Sequence, residues 1–258
     1  MKKNETNLKT KHLLEDSDGY FACFSNVGTN RKNNEDIAYY SLSPYGALLL
    51  IADGMGGHRK GEVASKMACD TLSYIFNSNR KTITSKSAKK LLVKGFTKAN
   101  NEIYKLSNTQ EFNEMGTTLV AAILYSTGCY ILSVGDSRLY KMKDNKLTQV
   151  SVDQTNIQFY KETGRLKNLE DEKKMRKLLL NAIGINPDLI NYEEYSLSID
   201  EYDKLFLCSD GINSVLEDSD IESILNKKAT AKEKLNEIID TALERKVLDN
   251  VACVLWER

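Results

Sequence analysis

The apolar residues of this chain fall into short runs that come in bunches, and the bunches are separated by amphipathic stretches. That arrangement limits the possible folds more than any other feature. Eight runs bounded by Gly, Asp or Asn read as strands, over residues 20–27, 37–41, 47–52, 117–124, 129–134, 139–142, 204–208 and 251–256. Helical periodicity marks three longer stretches. Val63, Ala64, Met67, Ala68, Leu72 and Ile75 recur at three- and four-residue steps. Leu91, Leu92, Phe96, Ala99, Ile103 and Leu106 do the same, as do Leu235, Ile238, Ile239, Ala242 and Leu243. Thr230 with Glu233 predicts a capping box before the last of these, and Ser219 with Glu222 predicts one before a shorter helix. Bunched strands with helices between them predict an α+β domain rather than alternating βαβ units. Each helix carries one apolar stripe and can cover one side of a sheet, so two sheets face to face with helices outside would satisfy every element.

Only two prolines occur, Pro44 and Pro187, and no Ser/Gly-rich linker or repeat is present, which predicts one compact domain. Residues 153–177 stand apart: they are rich in charge, and only Ile157, Phe159 and Tyr160 are equipped to pack. They read as a surface excursion, a lid or a partner-contacting flap, with the acidic and basic run 168–177 as its solvated face.

Four aspartates stand at the ends of apolar runs. Asp53 follows ALLLIA, Asp136 follows YILSVG, Asp210 follows LFLCS, and Asp249 precedes NVACVLW. Each alone has a bland explanation, because Asp-Gly is a common turn dipeptide. Together they are harder to dismiss. Carboxylates gathered at one rim of a sandwich repel one another unless cations hold them. Oxygen donors without a Cys or His cluster suit hard ions such as Mg²⁺ or Mn²⁺. Gly54, without a side chain, would let its own carbonyl approach such an ion.

Six short motifs occur in order: R-K-N-N-E-D at 31–36, D-G-M-G-G-H at 53–58, G-T-T at 116–118, G-D-S-R at 135–138, C-S-D-G at 208–211 and D-N at 249–250. This series resembles the type 2C metal-dependent serine/threonine protein phosphatases in their bacterial form, over roughly residues 20–256. The resemblance implies an α+β fold with a central β-sandwich of two antiparallel sheets flanked by α-helices, in four layers αββα. It implies an N-terminal extension over 1–19 and a phosphatase domain over 20–258, with the flap at about 153–177. Asp53 would bridge two core ions, Mn²⁺ or Mg²⁺, with the Gly54 carbonyl on one and Asp210 and Asp249 on the other. Asp136 would hold a weaker third ion with Asp210. Glu35 and Asp36 would orient metal-bound waters, and Arg31 would clamp the substrate phosphate. The implied reaction is hydrolysis of phosphoserine and phosphothreonine on proteins by a metal-bridging hydroxide, with no phosphoenzyme.

The chain departs from the pattern in three places. Met55 stands where eukaryotic relatives place a histidine, and His58 reads as a brace for the loop rather than a proton donor. Gln154 replaces the histidine of the usual Asp-His, which leaves Asp153 an expected outer role near the metals. Asn181 replaces a Thr or Ser, with no expected chemical consequence. Thr117 and Thr118 read as structural.

Other chemistries fit less well. The stretch from Gly56 to Gly61 has P-loop glycine spacing, but Glu62 stands where lysine is needed, and Arg59 breaks a dinucleotide fingerprint. None of Cys23, Cys69, Cys129, Cys208 and Cys253 has arginine six positions on, which excludes a tyrosine-phosphatase loop. Their odd number and wide spacing exclude a disulfide framework and predict buried thiols in a reducing cytoplasm. Lys and Arg together number 36, as do Asp and Glu, so no global field points to nucleic acid or membrane. The N-terminus lacks the apolar core of a signal peptide, and runs such as 47–52 are far too short to span a bilayer. The expected partners are phosphorylated proteins, substrates of a serine/threonine kinase, met by a monomer. A silent pseudophosphatase that binds phosphoproteins, or a partner-switching phosphatase for one regulator, is the alternative. The retained Asp53, Asp210, Asp249 and Arg31 weigh against the first, and the intact R-K-N-N-E-D and G-D-S-R motifs against the second.

Overall fold

The computed structural model describes residues 6–10, 19–56, 60–112, 114–166 and 177–258. Its strands are β1 (Thr6–Thr10), β2 (Gly19–Asn26), β3 (Asp36–Ser43), β4 (Gly46–Met55), β5 (Gly116–Thr117), β6 (Leu119–Tyr125), β7 (Gly128–Val134), β8 (Arg138–Lys143), β9 (Lys146–Gln149), β10 (Glu193–Ser198), β11 (Lys204–Cys208) and β12 (Val251–Glu257). The helices are α1 (Lys60–Asn77), α2 (Ser85–Ser107), α3 (Asn156–Glu162), α4 (Asp210–Asn213), α5 (Asp218–Leu225) and α6 (Ala231–Glu244).

The strands form two antiparallel sheets. One runs β1-β2-β12-β11-β8-β9, and the other runs β10-β7-β6-β4-β3 with β5 attached to β4. The stretch expected as an extension contributes β1, which pairs with β2 from Thr6 opposite Cys23 to Thr10 opposite Gly19.

Successive strand residues face opposite ways, and the continuous apolar runs use both faces. In β4, Leu48, Leu50 and Ala52 pack beneath α1 and α2, whereas Ala47, Leu49 and Ile51 pack between the sheets. In β12, Val251, Cys253 and Leu255 meet α5 and α6, whereas Ala252, Val254 and Trp256 face the other sheet. The three cores that result are the interior of an αββα sandwich, as expected. Each fully buried Leu or Ile stabilises it by about 1.5–3 kcal/mol.

Thr230 caps α6 as predicted: Glu233 N–H donates to Thr230 Oγ1 at 3.2 Å, and Thr230 N–H donates to Glu233 Oε2 at 2.8 Å. The second expected box is corrected. The N-cap of α5 is Glu217, whose N–H donates to Asp220 Oδ2 at 3.0 Å. Glu222 is engaged elsewhere, accepting the Leu147 N–H of β9 at 2.7 Å. Within the excursion, Thr155 caps α3 through the Gln158 N–H, and a short ladder ties 154–156 to 178–180. Residues 167–176 and His58 lie outside the described residues. No helix among those described is long and apolar enough to cross a membrane.

Candidate active site

The loop carrying Arg31 and Glu35 is held by Asn250, at the start of β12. Asn250 Nδ2 donates to the carbonyls of Val27 at 2.9 Å and Asn33 at 3.0 Å, and its Oδ1 accepts the Glu35 N–H at 2.8 Å. One side chain thereby fixes the loop against the neighbouring Asp249. Arg31 reaches across the same junction, with Nη2 2.9 Å from Asp249 Oδ2. Both side chains remain about half exposed, so this guanidinium is placed at the mouth of the site and open to a ligand.

Asp36 opens β3 directly opposite Asp53 of β4. The Asp36 carboxylate is buried and accepts the Ser209 hydroxyl at 2.6 Å, and Ser209 Oγ in turn accepts the Ala252 N–H at 3.0 Å. The Asp53 backbone is pinned on both sides. Its N–H donates to Thr118 Oγ1 at 3.1 Å, and its carbonyl accepts from Thr118 N–H at 2.8 Å and Thr117 Oγ1 at 2.9 Å. The threonines are structural, as read.

Gly54 is required for packing as much as for chemistry. A Cβ there would lie 2.1 Å from the Gly61 carbonyl oxygen and 2.8 Å from that of Glu35. The strand end therefore touches the start of α1 backbone to backbone, which fixes Asp53 beside the helix N-terminus.

Asp136 follows Gly135, whose φ of +103° turns the chain out of β7. Gln154 holds that turn: its Oε1 accepts the Gly135 N–H at 2.9 Å while its own N–H donates to the Gly135 carbonyl at 2.9 Å. The glutamine that departs from the expected histidine is thus a brace. Asp153, expected in an outer role near the metals, lines a neighbouring pocket with Asp136, Lys177 and Asp210, and its charge helps raise the Asp136 carboxyl. Arg138 grips Asp153 bidentately, Nε to Oδ1 at 2.9 Å and Nη2 to Oδ2 at 2.8 Å, and Gln149 adds a third bond at 3.0 Å.

Asp210 is the first residue of α4, with Ser209 as its N-cap. Lys177 extends between Asp210 and Asp136, its Nζ 3.0 Å from one carboxylate and 2.5 Å from the other. Lys177 departs from the reading of 168–177 as a solvated face, being an inward-facing cation, while the rest of that run lies outside the described residues.

Arg31, Glu35, Asp53, Gly54, Asp136, Lys177, Asp210 and Asp249 line one cleft of about 310 Å³. Asp36 lies beneath it, behind Asp53. The carboxyls push one another toward the protonated form. Burial and then the charges of Asp36, Asp210, Asp136 and Asp249 hold Asp53 well above the usual carboxylate range. Burial, with Asp210 and Asp249 adding, lifts Asp36 to about 7 against the opposing Ser209 hydrogen bond. Asp136 is raised by burial and Asp210 despite Lys177, and Glu35 by burial despite Arg31.

Such a cluster is relieved by cations. Among the described residues no three Asp, Glu, His or Cys side chains close into a tight cage. An open cleft of oxygen donors with room for water suits Mg²⁺ or Mn²⁺, which keep part of their hydration. Ser209, Asn250 and Lys177 were not singled out by sequence reasoning; the first two lay inside recognised motifs, and Lys177 carried no signal. Cys208, buried and with its thiol pushed up by desolvation, lies below Asp210 as an inert group.

A model of the family described as protein phosphatase 2C matches residues 28–255. The chain is 33% identical over 234 residues to the serine/threonine phosphatase stp of Listeria monocytogenes serotype 4b, covering 90% of this chain and 92% of that one. Its fold is similar to the solved S. agalactiae serine/threonine phosphatase, with a TM-score of 0.86, 25% identity and coverage of 93% of this chain and 99% of the other. It is similar as well to Stp1 from Staphylococcus aureus, with a TM-score of 0.86, 26% identity and coverage of 98% and 99%. Motif order, sandwich and family match agree, and the chain belongs to the protein phosphatase 2C family.

Proposed function

We propose that this protein hydrolyses phosphoserine and phosphothreonine on proteins, with divalent ions held by its cleft aspartates. One observation carries the reading: four aspartates from separate parts of the chain, Asp53, Asp136, Asp210 and Asp249, meet at one cleft with Arg31 at its mouth. Asp53, the Gly54 carbonyl, Asp210 and Asp249 would hold two core ions, Mn²⁺ or Mg²⁺, and Asp136 with Asp210 a weaker third. When bound, these ions supply an activated water and neutralise phosphoryl oxygens.

The chain's own groups do the remainder. Arg31 presents a planar fork to two phosphate oxygens and stays charged at every working pH. Its present partner Asp249 is exchanged for the substrate when phosphate enters. Glu35 lines the cleft and Asp36 lies behind Asp53, both displaced toward protonation, and together they would orient waters held there. Ser209 and Asn250 keep those two groups in place, as positioning residues. No cysteine or serine nucleophile is required, and the burial of Cys69, Cys129, Cys208 and Cys253 agrees with that, Cys23 being half-buried.

The enzyme would work in the cytoplasm as a monomer, on proteins phosphorylated by a serine/threonine kinase, with the 153–177 excursion as a flap. Phosphate release from a phosphothreonine peptide, compared among wild type, Asp53→Asn and Asp249→Asn in Mn²⁺, tests the assignment. Near-complete loss in both variants with the fold intact is expected. Wild-type rates in either would refute the ligand set.

A further inference from the structure

Lys177 enters the cleft where two carboxylates meet, 2.5 Å from Asp136 Oδ2 and 3.0 Å from Asp210 Oδ2. A defined scaffold delivers it. Leu178 N–H donates to Asn156 Oδ1 at 2.8 Å, Asn156 N–H donates back to the Leu178 carbonyl at 3.0 Å, and Leu179 bridges to Thr155, the cap of α3. The Lys177 side chain is still 38% exposed while Asp136 is 8% exposed, so the ammonium has a way out that the carboxylate lacks.

We propose that Lys177 is a tethered competitor of the third divalent ion: its ammonium is the resident cation of the Asp136–Asp210 pair, and an ion takes both carboxylates only by displacing it. The inference rests on the reading of Asp136 and Asp210 as metal carboxylates. An ammonium is a compact point charge with three donors, enough to satisfy two carboxylates at once. It carries half the charge of a divalent ion and has no coordination position for water. Exchange of the lysine for an ion therefore changes the chemistry of the cleft while conserving its cohesion. Arg31 does not duplicate this role, because its contact is with Asp249 on the other side of the cleft. The outcome is a third site whose occupancy follows free metal concentration, even when the two core sites are full.

Calorimetric Mn²⁺ titration of wild type and Lys177→Met, paired with mass-spectrometric acetylation of Lys177 in the wild type, tests this. A charge-assisted hydrogen bond corresponds to roughly a tenfold or larger factor in an equilibrium. The weakest Mn²⁺ should therefore bind at least about tenfold more tightly to Lys177→Met, a larger gain than at the core site that shares Asp210. In the wild type, acetylation of Lys177 should rise over the Mn²⁺ range that fills the weakest site. In Asp136→Asn that Mn²⁺-dependent rise should disappear. Unchanged or weaker third-site binding in Lys177→Met, or labelling indifferent to Mn²⁺, overturns the proposal while leaving the core metal reading intact. Failure of every protein to bind Mn²⁺ overturns that reading and this inference together.

Discussion

Replacing Asp53 by Asn should stabilise the metal-free protein and destabilise it relative to wild type once Mn²⁺ is present. The carboxyl of Asp36, directly opposite, moves from 3.8 to about 7. That shift corresponds to roughly 4 kcal/mol against the charged form. Asp53 is raised as well, by burial and by four neighbouring aspartates. Asn keeps the shape and removes one charge, but sacrifices some hydrogen bonding, so a net gain of about 1–3 kcal/mol is expected at pH 8. For a chain of this size that is a rise in Tm of roughly 3–10 °C in EDTA. The size of the gain depends on pH. A raised carboxyl contributes its stability fully below its unfolded value and loses it as pH climbs through the folded one, here about 7 for Asp36. The advantage of the variant should therefore fade at pH 5. Saturating Mn²⁺ at a hundred times its Kd would stabilise wild type by about 2.7 kcal/mol and reverse the order. Thermal melts at pH 5 and pH 8, with EDTA and with Mn²⁺, supply all four numbers. A variant that melts at or below wild type in EDTA at pH 8, or that gains as much from Mn²⁺, would refute the electrostatic argument.

Arg31→Ala should raise KM for a phosphopeptide about ten- to a hundredfold, with a smaller fall in kcat, as expected for loss of one charge-assisted grip on phosphate. Unchanged KM with weakened metal binding would make Arg31 a brace for Asp249 instead. Asp136→Ala should abolish the weakest Mn²⁺ site and depress activity while calorimetry still finds the core sites; loss of all binding would place Asp136 in the core. Ser209→Ala removes the hydroxyl bonded to the buried Asp36 carboxylate and should cost about 1–3 kcal/mol. An unchanged melt at pH 8 would contradict that role.

The central strands were legible because burial on both faces leaves continuous apolar runs, as in β4 and β12. The edge strands β9 and β10 were not, since KLTQ and EEYSLS each keep one side in solvent and read as ordinary polar chain. The aspartates were legible by their place at strand ends. Lys177 was not, because nothing in a charge-rich run marks which lysine turns inward; that depends on the ladder between 154–156 and 178–180. The motif position of Asp153 pointed toward the metals, and it does lie beside Asp136 and Asp210; what the sequence did not show is that Arg138 holds both its oxygens.

The central claim is that the protein's groups hydrolyse a phosphate ester only through ions held by the cleft aspartates. Its most direct test is phosphate release from a phosphothreonine peptide by enzyme stripped with EDTA, then dialysed and titrated with Mn²⁺ or Mg²⁺. The account predicts no turnover in the stripped enzyme and recovery as ions are restored, with both responses absent in Asp249→Asn. Full turnover by verified metal-free enzyme would contradict it.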